Sequence, residues 1–132
     1  MRTLSVTTER QSELIDITRL VQDTVRGEQG SAVLVYVPHT TAGVTINEHA
    51  DPMVARDFEM ALERIAPETW EWRHVEEGEE NAPTHIRASL MGPSVLVPLR
   101  DDGELALGTW QGIFFCEFDG PRRRSVHVSV LA

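Results

Sequence analysis

A single cysteine, a shortage of positive charge and the absence of any long apolar run set the first limits on this 132-residue chain. Cys116 has no second cysteine to bond with, so a disulfide framework is excluded and the thiol is expected to be a small core residue in a reducing compartment. Twelve Lys and Arg stand against twenty-one Asp and Glu, a formal charge of −9. Such a surface repels a phosphate backbone, and nucleic acid is excluded as the expected partner. The longest apolar runs, "AVLVYV" and "SVLVPL", fall far short of the roughly 20 residues of a membrane span. The first residues also lack the apolar stretch of a signal peptide, so no membrane partner and a cytoplasmic location are expected.

What is present suits a folded globular chain. Apolar residues make up 41% and charged residues 25%, no tract is biased towards disorder, and the length fits one domain over residues 1–132. "TLSVTT" and "ELIDI" read as strands. Thr18 reads as the N-cap of a helix from Arg19 to about Arg26 that buries Leu20, Val21 and Val25 and stops at Gly27. "SAVLVYV" is continuously apolar, as in a strand covered on both faces, at a sheet centre or beneath a subunit contact. Asp51 and Pro52 supply a cap and a first helical residue, and Val54, Phe58, Ala61, Leu62 and Ile65 recur at helical spacing until Pro67. From Glu68 to Thr84 runs an acidic segment carrying Trp70, Trp72 and His74, too long for a simple turn. "THIRASLMG" reads as a short helix or turn closing at Gly92. The last third is punctuated as a meander, with Val126, Val128 and Val130 on one face of the final strand and His127 and Ser129 on the other. Two or more helices among about seven strands, mostly paired in sequence order, indicate α+β with one or two antiparallel sheets.

Three histidines, His39, His74 and His85, lie at breaks in regular structure, 35 and then 11 residues apart. Three imidazoles with an open fourth position make a catalytic type of zinc site. Their spacing is no recognised metal motif, and satisfaction of each ring by its own hydrogen bonds is the alternative. His49, beside the Asp51 cap, and His127, on an outward strand position, are not expected to be ligands. Glu48 suits a base, a support for an imidazole or a ligand for a divalent ion, or else is a solvated loop carboxylate. In "HTTAG", Thr40 and Thr41 offer hydroxyls and Gly43 a closely approachable backbone for an anion, although such residues are also ordinary turn chemistry. Trp110, between glycines, is either a pocket wall or a cap on a sheet edge, and Gln111 beside it can both donate to and accept from a heteroaromatic ring. Arg122 in "PRRR" is a candidate phosphate contact, the alternative being pairing of this cluster with Glu117 and Asp119. The run "EEGEE" is expected to be solvated only.

Together, "HTTAGVTINEHADP", "WRHVEEGEENAPTHIRASLMGPSV" and "GELALGTWQGIFFCEFDGPRRR" resemble the YjbQ family, also called secondary thiamine-phosphate synthase enzymes, over nearly the whole chain. The resemblance implies a seven-stranded antiparallel β-sandwich with two or three helices, assembled as a homotrimer. It also implies a bound metal, zinc above all, at His39, His74 and His85, with magnesium as an alternative beside a diphosphate substrate. The implied activity joins hydroxymethylpyrimidine diphosphate to a thiazole phosphate and releases pyrophosphate, as a secondary reaction. Under it Glu48 and Asn81 would orient substrate or water, and Thr40, Thr41, Gly43, Trp110, Gln111 and Arg122 would contact substrate. The chain departs from the family pattern at Trp72, where tyrosine is expected. Two other functions fit the same residues: a metal-dependent hydrolase of a small phosphorylated metabolite, and a non-catalytic trimeric metabolite-binding protein.

Overall fold

The structure is a computed structural model that describes residues 1–74 and 81–132; the "EEGEE" run lies outside the described residues. In chain order the elements are β1 (Arg2–Thr7), β2 (Glu13–Asp16), α1 (Thr18–Val25), β3 (Ala32–Tyr36), β4 (Ala42–Glu48), α2 (Pro52–Ile65), α3 (Ala82–Met91), β5 (Ser94–Pro98), β6 (Gln111–Glu117) and β7 (Arg123–Leu131). They form two antiparallel sheets, β1-β7-β3-β5 and β2-β6-β4. Odd-numbered strands build one sheet and even-numbered strands the other, so no two consecutive strands pair. The expected meander is therefore overturned. Its turn residues do mark chain reversals, but a turn within a sheet and a crossing between sheets use the same residue types. The "LAL" segment, residues 105–107, which the meander pattern reads as one of its strands, is not a strand. It is held by a single bridge between Leu99 and Leu105 and by the Gln22 side chain, which accepts from Leu105 N at 2.9 Å.

The strands are coded by period two. Val33, Val35 and Val37 face Val44, Ile113 and Phe115 across the sandwich, with Val97, Val126 and Val128 beside them and Val21 and Val25 of α1 closing one side. Each such side chain, removed from water, contributes ~2 kcal/mol of hydrophobic stabilisation. β6 is buried on both faces. Ile113 and Phe115 point into this core, whereas Phe114 and Cys116 point the other way, with Phe118, against Leu62 of α2 and Ala88 of α3. Burial pushes the Cys116 thiol far above its ordinary pKa, which keeps it the inert core residue its sequence context indicates. β3 behaves differently from the expectation of two covered faces, because Tyr36 is 43% exposed and its neighbour Leu96, on β5, 59%. Within one chain that face is open.

The helices follow their signals with local corrections. Asp51 caps α2, its side chain accepting from Met53 N, and Pro52 opens the helix. Of the expected apolar face only Leu62 is fully buried; Ile65 is 56% exposed, and Glu59 is buried instead and pairs with Arg10 at 2.7 Å. In α1, Thr18 is the first helical residue, not the cap. Its N–H and hydroxyl both donate to Asp16 Oδ1, at 2.9 and 2.6 Å, so the capping carboxylate lies two residues earlier. Leu20 is 40% exposed. "THIRASLMG" belongs to a ten-residue helix closed by Gly92 at φ 91°. Among the described residues no helix is long and apolar enough to cross a membrane.

Gly43 positions α3. A Cβ there would lie 2.8 Å from Gly92 O and 3.2 Å from Ala88 O, both backbone atoms. The close approach expected of a ligand is thus made by the chain's own helix. Gly43→Ala must push α3 from β4, and a loss of about 1–3 kcal/mol, as for other overpacked sites, is expected in chemical denaturation; an unchanged midpoint would remove this role from Gly43.

Candidate functional site

Three chain crossings between the sheets meet at one end of the sandwich: residues 8–12, residues 37–41 and residues 118–122. A buried ion pair joins them. Arg124 continues the inward face of Val126 and Val128, and Glu117 that of Ile113 and Phe115, so each sheet aims one charge at the other. Both side chains are nearly inaccessible, at 3% and 0%. Arg124 Nε donates to Glu117 Oε1 at 2.9 Å and Nη2 to Thr41 Oγ1 at 2.7 Å. Glu117 also accepts from the Thr8 hydroxyl at 2.8 Å and from the backbone N–H groups of Phe118 and Asp119, each at 3.1 Å. Burial alone would raise the Glu117 pKa, but Arg124, the Asp119 N–H and Thr8 together hold it below the usual carboxylate range.

The next residue of β7 fixes His39. Ser125 N–H donates to His39 Nε2 at 3.0 Å, so that nitrogen is bare and the neutral ring carries its proton on Nδ1. Burial, and then the positive charge of Arg124, hold the His39 pKa below its ordinary value. His39, Thr40 and His85 line one cavity of about 370 Å³, together with Ala42, Ala88, Ser89 and Pro93.

α3 brings the other polar groups. His85 Nδ1 lies 3.2 Å from the Thr40 carbonyl, the geometry of an Nδ1–H donating to it, which leaves Nε2 unprotonated. The His74 ring stands edge-on to His85, with 5.2 Å between centroids. Asn81, one helical turn before His85, donates through Nδ2 to Asp119 Oδ2 at 3.3 Å, while its buried Oδ1 has no partner among the described residues. Asp119 is in turn paired with Arg122 at 3.0 Å. Two arginines of "PRRR" thus pair with these carboxylates, Arg122 with Asp119 and Arg124 with Glu117, while Arg123 Nε donates to Ser5 Oγ at 2.8 Å.

These positions test the metal set. Two imidazoles on one tetrahedral zinc, with bonds of about 2 Å, place their ring centres roughly 5 Å apart, and a ligating histidine commonly donates its other N–H to a carbonyl. The His74 and His85 rings meet the spacing, and His85 also meets the second condition through the Thr40 carbonyl. His39 does not in this arrangement, since neither of its nitrogens has a free lone pair. Among the described residues no group of three His, Cys, Asp or Glu side chains is arranged to hold an ion.

The remaining candidates are elsewhere. The β4–β6 register pairs Ala42 with Glu117 and Glu48 with Gln111, six steps or roughly 20 Å along the strand. Glu48, Trp110 and Gln111 therefore lie at the opposite end from the histidines within one chain. Trp110 is 64% exposed, and Gln111 Oε1 accepts from Gly108 N at 2.8 Å, closing its own loop. At that end His49 Nδ1 meets Asp16 Oδ2 at 2.8 Å. Burial would raise the Asp16 pKa, but the Thr18 and His49 hydrogen bonds lower it. His127 Nδ1 meets the Thr3 hydroxyl at 3.0 Å on the open sheet face. Thr41 spends its hydroxyl on Arg124, and Thr40 contributes its carbonyl. Sequence reasoning weighed pairing of the "PRRR" cluster with Glu117 and Asp119 but did not place Arg124 and Glu117 in the interior, although the alternation through Val126 and Val128 already puts position 124 inside.

The family model described as UPF0047 protein YjbQ-like matches residues 2–132. A UPF0047 protein of Methanocaldococcus jannaschii is 45% identical over 96% of this chain and 90% of its own length. The UPF0047 protein YugU of Bacillus subtilis is 43% identical over 99% of this chain and 98% of its own. A crystal structure of a YjbQ/UPF0047 protein from Clostridium acetobutylicum superimposes with a TM-score of 0.92 at 45% identity, covering 99% of this chain and 100% of that one. A conserved protein of Thermus thermophilus gives 0.91 at 39% identity, covering 99% and 100%.

The His39 environment makes a titration prediction. Nitrogen-15 NMR should show the Nδ1–H tautomer with a pKa below about 6.5, the ordinary imidazole value. Because the folded pKa is depressed, the associated stability is present above the unfolded value and is lost as pH falls through the interval beneath it. A ring protonated on Nε2 would contradict the hydrogen bond from Ser125, and one titrating above that value would contradict the effect of burial and Arg124.

Proposed function

The chain belongs to the YjbQ-like UPF0047 family, and within it we propose a metal-dependent enzyme of the cytoplasm, working at the end of the sandwich where His39, His74 and His85 gather. The observation that carries this reading is the His85 ring 5.2 Å from that of His74, with its Nδ1–H tied to the Thr40 carbonyl and its Nε2 therefore unprotonated. His74 and His85 would hold the ion, zinc in preference to magnesium. When bound, it would supply positive charge to an anionic leaving group.

The activity proposed is thiamine-phosphate synthesis, in which the C–O bond to a diphosphate breaks and a carbon–nitrogen bond to the thiazole forms. The departing diphosphate needs donors fixed in advance. His39 Nδ1–H, on the wall it shares with His85, is one, and the guanidinium of Arg122 is another. Asn81 Oδ1, buried and unpartnered among the described residues, accepts an N–H of the substrate or an O–H of water. Thr40 fixes His85 through its carbonyl, and Thr41 and Gly43 hold the wall without touching substrate. Glu48, Trp110 and Gln111 contribute only from a neighbouring copy. A homotrimer is the proposed assembly, supported by the open face of β3 and β5, where Tyr36 and Leu96 are exposed.

Metal analysis and assay with the two thiamine precursors test this together. His74→Ala and His85→Ala should lose the ion. His39→Ala should keep it while turnover falls ~100-fold or more, as for loss of one fixed hydrogen-bond donor to a developing anion. Protein with neither stoichiometric metal nor product would end the proposal, and release of phosphate without any need for the thiazole partner would replace it with hydrolysis.

A further inference from the structure

Arg87 lies on α3 two residues from His85, which turns it to the opposite side of the helix. It is 2% exposed. Its Nη2 donates to the Ala66 carbonyl at the end of α2, at 2.8 Å, while its buried Nε has no partner among the described residues. No ion pair involves it among those residues either. A guanidinium does not lose its proton, and leaving one buried without a counter-charge costs several kcal/mol. A bond to one backbone carbonyl satisfies one N–H and neutralises nothing.

The same side chain lines a cavity of about 340 Å³ with Gln11, Ser12, Glu63, Pro67 and Glu68, at the small end of the range for small-molecule sites. Charge is distributed across it by depth. Arg87 is the buried wall, whereas Glu63 and Glu68 are exposed, and neither lies within ion-pair distance of the guanidinium. Gln11 Nε2 donates to Glu68 Oε1 at 3.0 Å, which holds that carboxylate at the cavity. A simple anion would gain Arg87 but face two carboxylates, and a simple cation would gain the carboxylates and leave Arg87 uncompensated. A small molecule with a carboxylate at one end and an ammonium at the other satisfies both.

We infer that this cavity between the β1–β2 turn, the end of α2 and α3 is a second ligand site, independent of the histidine cluster, that takes a small zwitterion of the α-amino-acid class. Its carboxylate binds Arg87 and its ammonium binds Glu63 and Glu68.

Calorimetric titration of the intact protein with unmodified α-amino acids tests this, with acetate, ethylamine and inorganic phosphate as singly charged or anionic controls. At least one amino acid should bind with the controls silent. Its affinity should fall at least tenfold both in Arg87→Met and in the double variant Glu63→Gln, Glu68→Gln, whose exposed positions leave folding intact if Arg87→Met does not fold. Binding of phosphate or acetate as tightly as any amino acid would overturn the proposal in favour of a plain anion site. So would silence from every amino acid, or an affinity unchanged in the glutamine variant.

Discussion

Among the described residues, Arg124 and Glu117 are the only point at which the two sheets meet through opposite charges in their shared interior, and the end of the molecule is organised around them. Two buried ions are expensive unless their remaining donors and acceptors are met. The chain meets them with groups from all three neighbouring crossings: the Thr8 hydroxyl, the Thr41 hydroxyl, and the N–H groups of Phe118 and Asp119. Satisfying the pair therefore fixes where each crossing runs. His39 is carried on one of these crossings, Asp119 and Arg122 on another. The position of the candidate site is in this sense a by-product of solving a desolvation problem.

The strand order supplies the reason for so many crossings. With odd strands in one sheet and even strands in the other, every connection must leave one ladder and enter the second, exposing backbone groups that no strand partner satisfies. At the histidine end the crossings pair with one another: Thr8 N with Arg122 O at 2.9 Å, Phe118 N with Thr41 O at 3.2 Å, and Gly120 N with Gln11 O at 3.0 Å. Polar side chains collect there because the backbone already demands polar partners. The stretch after "SAVLVYV" turns from valine to histidine and threonine where the chain crosses between sheets.

Local signals were legible where physics is local. Period-two alternation found the buried valines of β7, and Asp51 and Pro52 marked the start of α2. The count of seven strands agrees only because β4, not expected from the sequence, takes the place of "LAL", whereas the two-sheet α+β class and the family were readable, the last because long motifs recur in order along the chain. Pairing was not, since partners such as Ala42 and Glu117 are far apart in sequence and no turn residue names its sheet. The doubly apolar "SAVLVYV" and "IFFCEF" look alike as strings, yet β6 is covered by helices on its second face and β3 is open. Periodicity reports that a residue is apolar, not what covers it. The distance between Glu48 and His39 was hidden for a related reason: nine residues apart in sequence, they sit at opposite ends because β4 is fully extended between them.

Histidines show most clearly why residue type alone underdetermines chemistry. His39 and His85 line one cavity and differ only in which backbone group each one meets. A backbone N–H, from Ser125, occupies Nε2 of His39 and leaves the ring proton on Nδ1. A backbone C=O, from Thr40, takes the Nδ1–H of His85 and leaves a lone pair on Nε2. One ring is thereby prepared to donate and the other to accept. A hydrogen-bond donor and a lone-pair acceptor are thus obtained from one residue type, through two backbone contacts.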